Sequence, residues 1–192
     1  MLKDLIIKNR SYRRFHQQEK VEISTLEELV DLARLSASAA NLQPLKYYIS
    51  SDEHTNGLIF PHLSWAGYLK DWTGPVEGER PSAYIIILGD KTITNSFGCD
   101  HGIACQSILL CAVEKGLGGC IIASIQKKEL RNKLNIPEKY DILLAIALGK
   151  PKEIVEIEQL GQNGDVKYWR DEQSHHHVPK RQLKELIIKT DI

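Results

Sequence analysis

No charge of either sign dominates this sequence. Its 192 residues carry 25 basic and 25 acidic side chains. No global field therefore steers the chain to nucleic acid or to a membrane surface, and an anion site must come from local clustering. Long apolar runs are also missing, and none approaches the roughly 18 residues a spanning helix needs. The first residues, Met1 to Lys8, carry internal charges and no small-residue cleavage site, which argues against a signal peptide. The four cysteines, Cys99, Cys105, Cys111 and Cys120, include no Cys-x-x-Cys pair. That spacing suits neither zinc nor an iron–sulfur cluster. It predicts reduced, buried thiols and a cytoplasmic protein. The adjacent His175, His176 and His177 cannot all face one metal from a strand or a helix, so no metal site is predicted. There is no Gly-x-Gly-x-x-Gly and no Walker loop. A phosphate ligand would have to be held by side chains.

What is present suits one globular domain over residues 1–192, with 42% hydrophobic and 26% charged residues. Leu2, Leu5 and Ile6 have helical spacing. Ser24 with Glu27 has the form of a capping box for a second helix. That helix carries Leu26, Leu29, Val30, Ala33 and Ala37 and ends around 38–41, before Pro44. Residues 46–50, 83–88, 119–123 and 142–148 are expected strands. Residues 52–82, rich in Gly and Pro, are expected to form a long irregular segment. Asp100 is placed to cap a helix over 102–115, with Gly116 as its stop. That helix is apolar almost all round, which predicts burial on every side, with a subunit interface as one way to achieve it. Residues 127–134 predict a short helix, and Leu183, Leu186 and Ile187 a last amphipathic one. Helices and strands are mixed without strict βαβ alternation, so the fold class is α+β.

Three constellations could carry chemistry. Arg10-Ser11-Tyr12-Arg13-Arg14 places three guanidiniums and a serine hydroxyl within five residues, and the arginine fork matches phosphate oxygens. The same segment also reads as a solvated basic face. Ser36 to Pro44 combines small residues, which let a flat ligand approach the backbone, with the amides of Asn41 and Gln43. Pro179-Lys180-Arg181 offers a second half of a phosphate site. No Ser/His/Asp or Cys/His set stands out.

These segments resemble, in order, those of the nitroreductase-like flavoproteins. Arg10 to Phe15 is similar to their Arg-Ser-x-Arg-x-Phe opening. Ser38 to Pro44 resembles their Ser-x-x-Asn-x-Gln-Pro segment, and Asp100 to Ser107 the start of their long central helix. Gly116-Leu117-Gly118-Gly119 resembles their Gly-Leu-Gly turn, and Gly149-Lys150-Pro151 their Gly-x-Pro strand end. The resemblance implies a mostly antiparallel sheet flanked by helices, a buried central helix and an extended C-terminal tail. It also implies a homodimer with FMN at the subunit interface. By the same resemblance Arg10, Ser11 and Arg13, with Lys180 and Arg181, hold the FMN phosphate and ribityl chain. Ser38, Ala39, Asn41 and Gln43 lie against the ribityl and ring, and Ala123 and Ser124 give backbone contacts to the ring. The family often has an aromatic residue where Leu45 stands and a glycine where Ser124 stands. The implied activity passes electrons from NADH or NADPH through the flavin to a small electrophile such as a nitroaromatic or a quinone. Other flavin reactions (reductive dehalogenation, flavin fragmentation, dehydrogenation) and a non-catalytic FMN-binding role stay open. Trp65, Tyr68 and Trp72 are candidates for the substrate pocket.

Overall fold

The computed structural model describes residues 1–189; Thr190, Asp191 and Ile192 lie outside the described residues. Helix α1, Leu2–Lys8, has no buried side chain, and Leu2, Ile6 and Ile7 stand exposed. Helix α2, Ile23–Arg34, buries Leu26, Leu29 and Ala33. Its N-cap is Glu22 and no side chain caps it, so Ser24 lies inside the helix and the expected Ser24/Glu27 box does not form. It stops at Arg34, earlier than expected, because residues 36–43 leave the helical path and place Ala40, Asn41 and Gln43 at positive φ.

Strand β1, Leu45–Ser50, is followed by α3, Glu53–Ile59, within the segment expected to be irregular. Asp52 starts this helix by accepting hydrogen bonds from the backbone N–H and the hydroxyl of Thr55, both at 2.8 Å. Strand β2, Ala83–Asp90, is buried at every position. Helix α4, Asp100–Glu114, includes Asp100 in its first turn, where the sequence suggested a cap. Strand β3, Gly118–Ile122, and helix α5, Lys127–Leu134, follow, and α5 matches its expected span. Asn135 in the left-handed region ends α5, with Pro137 just beyond. Strand β4 is Tyr140–Gly149.

The main sheet has the order β1-β2-β4-β3, with all neighbours antiparallel. Its two faces follow from the period of two along β2. Tyr84, Ile86 and Leu88 pack with Ile59, Trp65, Cys120 and Leu130 on one side. Ala83, Ile85 and Ile87 pack with α2 and α4 on the other. Helix α4 is not buried all round within one chain. Ala104, Cys105, Ile108, Leu109 and Ala112 face the core, while Ile103 and Gln106 are exposed. Cys105 and Cys120 are the buried thiols; Cys99 is exposed and Cys111 half-buried, which corrects the expectation of four buried ones. The tail folds into a second sheet of β5, Val155–Gln159, β6, Trp169–Arg170, and β7, His176–Lys180, in the order β5-β7-β6, and then α6, Leu183–Leu186.

No helix among the described residues is long and apolar enough to cross a membrane.

Candidate functional site

The basic segment is fixed by its backbone. Tyr12 N–H donates to Gly119 O at 3.0 Å, beside a parallel bridge between Ser11 and Gly119. Phe15 N–H donates to Glu79 O, and His16 N–H to Lys150 O. Gly118 allows this approach, since a Cβ there would sit 2.5 Å from Tyr12 Cδ2. The segment is thus bridged to the β3 edge at Ser11, and its arginines point to different tasks.

Arg14 serves the fold. Its guanidinium takes both oxygens of Glu79, at 2.6 and 2.7 Å. The hydrogen bonds from Arg14, helped by Lys152, hold the Glu79 carboxyl well down, at about 2. Arg13 is buried, and its guanidinium lies 4.8 Å from the Tyr168 ring centroid. One of its terminal nitrogens donates to Ser11 O at 3.2 Å and faces His176 Nε2 at 3.2 Å. Arg10 donates to Ile6 O at 2.7 Å, and its Nε is buried with no partner in the protein.

Arg10, Ser11 and Arg13 line one cavity of about 280 Å³ with Gly119, Tyr168, His176 and Lys180. Arg181 is not among its lining residues, and its guanidinium lies 3.6 Å from Glu185. A second cavity, of about 200 Å³, adjoins the first, since Arg13 and Ile121 line both. Trp65, Ala123 and Ser124 line this second one. Tyr68 instead contacts the tail, with its ring 5.0 Å from that of Tyr168, and Trp72 lies under the guanidinium of Arg170 at 4.4 Å. Ser38 and Gln43 line a third hollow beside Asp100 and Tyr47, which shares no lining residue with the other two. Asp100 accepts from Ser38 Oγ at 2.6 Å and from Ala39 N–H at 3.0 Å. Gln43 donates to the carbonyl and side-chain oxygens of Asn41.

His176 was not singled out by sequence reasoning, though the histidine run was noted. It is 1% exposed. Burial, then the nearby cations Arg13 and Arg170, push its imidazole down to about 4. It is neutral at pH 7. With Nε2 facing the Arg13 donor, Nε2 accepts and Nδ1 carries the hydrogen. That Nδ1 is buried and unpaired. The cavity is therefore lined by residues with two free buried donors, Arg10 Nε and His176 Nδ1, beside the ammonium of Lys180. Buried donors of this kind suit an anionic oxygen group.

His177 behaves oppositely. Nδ1 lies 2.5 Å from Glu158 and Nε2 lies 3.2 Å from Asp171, while Trp169 stacks on the ring at 4.1 Å. Burial lowers its pKa, but the hydrogen bonds and charges of Asp171 and Glu158 outweigh this and raise it. Both carboxylates accept, so both ring nitrogens must carry hydrogens. The linkage signs are then opposite for the two neighbours. The stabilising contribution of His177 is complete below pH 6.5 and fades as pH rises through its raised folded value. That of His176 is complete above pH 6.5 and fades as pH falls toward about 4. Tail docking is expected to be tightest near pH 6.5. Limited proteolysis of the 155–180 region across pH 4–9 checks this, and monotonic protection across that range would reject it. Among the described residues no group of three or more His, Cys, Asp or Glu side chains could hold a metal ion.

The nitroreductase family profile matches residues 6–74 and 78–150. The chain belongs to the nitroreductase family. Solved structures agree in fold. A candidate nitroreductase in complex with FMN from Desulfovibrio desulfuricans aligns over 100% of this chain and 97% of that chain, at 22% identity and TM-score 0.70. An FMN-dependent nitroreductase from Clostridium difficile R20291 aligns over 77% and 86%, at 24% identity and TM-score 0.62. An enone reductase of gut-bacterial fatty acid saturation aligns over 79% and 89%, at 16% identity and TM-score 0.65. The α+β nitroreductase fold is thus the one this chain adopts. The family profile ends at residue 150, so the tail that carries Tyr168, His176 and Lys180 lies beyond it.

Proposed function

We propose that this nitroreductase-family chain is a single-domain, cytoplasmic FMN oxidoreductase that passes electrons from NADH or NADPH to a small electrophile of nitroaromatic or quinone type in a ping-pong cycle. The observation that carries the proposal is the cavity of Arg10, Ser11, Arg13, His176 and Lys180, whose unpaired buried donors fit a phosphate monoester. When bound, FMN would supply the hydride-transfer and electron-transfer chemistry of the cycle. The chain's own task is binding and orientation. Arg10 and Arg13, with Lys180, hold the phosphate end, with Arg181 nearby in sequence as a further cation. The backbone at Ala123 and Ser124 faces the ring from the adjoining cavity. Trp65 walls that cavity and keeps water from it, and Tyr68 and Trp72 form the outer approach for the acceptor.

Ser38, Ala39, Asn41 and Gln43 complete the site from a second protomer. What supports this is the hollow lined by Ser38 and Gln43, which shares no lining residue with the phosphate cavity of the same chain. The exposed Leu2, Ile6, Ile7, Ile103 and Ile121 supply apolar surface for the dimer.

The test is anaerobic addition of NADH or NADPH to the FMN-loaded protein. Bleaching of the flavin, and its return on adding a nitroaromatic or quinone, is expected. A protein that takes up no FMN, or whose flavin neither nucleotide bleaches, rejects the proposal. Arg10→Ala is expected to weaken FMN binding about 10–100-fold, the scale of one charged hydrogen bond. Unchanged affinity in an FMN titration would remove Arg10 from the phosphate site.

A further inference from the structure

We propose that a separate cavity on the α3 side of the main sheet binds a small organic carboxylate. This cavity, of about 650 Å³, shares no lining residue with the three described above. Arg80, Ser82 and Tyr84, at and just before the start of β2, are among its lining residues.

All three present unfilled donors. Tyr84 is 1% exposed and Ser82 8% exposed, and neither hydroxyl has a hydrogen-bond partner in the protein. Arg80 Nε is likewise buried and unpaired. Burial pushes the Tyr84 hydroxyl far above its ordinary pKa, so it stays a donor. Leaving such buried groups unsatisfied is unfavourable. Several surrounding polar groups, by contrast, are engaged. Asn56 accepts from Ser50 Oγ and donates to Ser82 O, both at 2.8 Å, so the Ser82 backbone is held while its hydroxyl is free. Gln17 Oε1 accepts from Gly78 and Arg80 N–H. The Arg80 guanidinium is fixed by Glu77 at 2.8 Å and lies 4.4 Å from the Phe60 ring.

The charge of the lining selects the ligand. Lys20 and Arg80 face Asp52, Glu53 and Glu77, which leaves one net negative charge before binding. A dianionic phosphate is disfavoured there, unlike in the cavity of Arg10, Arg13 and Lys180. A single carboxylate can take the three donors while Phe60 and Pro81 cover the apolar part of the molecule. Phe60 also meets Trp65, with ring centroids 5.8 Å apart, so packed rings join this cavity's wall to that of the Ala123–Ser124 cavity.

The experiment titrates benzoate into isotope-labelled protein, with and without FMN, and follows backbone amide shifts. Saturable shifts at Gly78, Arg80 and Tyr84 are expected in both preparations, with none there from inorganic phosphate. Tyr84→Phe and Ser82→Ala are each expected to weaken benzoate about tenfold, the loss of one hydrogen bond to a charged group. Without benzoate, Tyr84→Phe should melt at or above the parent temperature, because the hydroxyl it removes has no partner. The proposal is overturned by the absence of saturable shifts, or by shifts confined to Ser11, Gly119 and Ala123. Equal benzoate affinity in Tyr84→Phe, phosphate binding as tight as benzoate, or a lowered melting point of unliganded Tyr84→Phe also overturns it. Because the readout does not require flavin, failure here and failure of the oxidoreductase proposal are distinguishable.

Discussion

Glu153→Ala is expected to lower stability by roughly 3–5 kcal/mol, the cost of stranding a buried charge by removing its partner. The Glu153 side chain is 0% exposed. One of its oxygens accepts the backbone N–H groups of both Arg13 and Arg14, and the other takes Arg170 at 3.0 Å. It thereby ties the basic N-terminal segment to the tail. Removing it leaves two backbone donors unpaired and the Arg170 guanidinium, whose pKa burial already lowers, without its carboxylate. A domain of this length loses about 2–4 °C per kcal/mol, so melting should fall by roughly 6–20 °C. FMN binding should fall with it, because Arg13 loses the anchor of its main chain. The double variant Glu153→Ala/Arg170→Met should recover part of the loss, since no cation is left buried alone. Thermal unfolding of the four proteins in this cycle decides the matter. A single variant that melts within about 2 °C of the parent would show that the carboxylate is dispensable.

Glu153 also marks where sequence reading stops. Local rules with strong local causes were legible. Helix α5 was, because its apolar spacing ends at Asn135 and Pro137. Strand β2 was, because a run of β-branched residues is buried on both faces. The helix α3 was not, since Gly57 inside it and Pro61 just after it read as breakers while the Asp52–Thr55 cap outweighs them. The Ser24–Glu27 pattern misled by two residues, because Ile23 already has helical geometry and the box has no cap position to occupy. At the candidate site, the basic cluster was visible but its division of labour was not. Arg14 turns to Glu79, 65 residues away, and Arg13 to His176, 163 residues away. Such pairings depend on the topology that bridges Ser11 to β3 and Phe15 to Pro151 and returns the tail over them. No window of sequence contains them, and a lone Glu153 or His176 carries no local signal of its partners.

The second large effect is expected at Asp100. The segment from Ser38 to Gln43 holds three non-glycine residues in the left-handed region: Ala40 at φ 49°, Asn41 at 54° and Gln43 at 52°. The left-handed region costs roughly 1–2 kcal/mol per residue where a Cβ is present. The segment must be held by interactions elsewhere. Asp100 supplies them, with one oxygen on Ala39 N–H at 3.0 Å and the other on Ser38 Oγ at 2.6 Å. Ser38 Oγ in turn accepts Gln43 N–H at 2.9 Å, which carries the constraint to the end of the segment. Asp100→Ala removes both acceptors from a residue that is 5% exposed. It is expected to cost about 2–4 kcal/mol, the sum of two such bonds, while Asp100→Asn keeps one acceptor and loses about half. Amide hydrogen exchange at Ala39 and Gln43 should accelerate in Asp100→Ala well beyond the change in global stability, because the strained segment is released locally. FMN affinity should drop as well under the proposed dimer, where this segment meets the flavin held by the other protomer. Arg10→Ala would then weaken FMN without loosening Gln43, whereas Asp100→Ala would do both. If Gln43 exchange in Asp100→Ala stays at the parent rate, the chain from Asp100 through Ser38 to Gln43 is not what holds the segment. The three left-handed residues would then have to be held by the packing of Leu45 and Tyr47 against α2 and α4 alone.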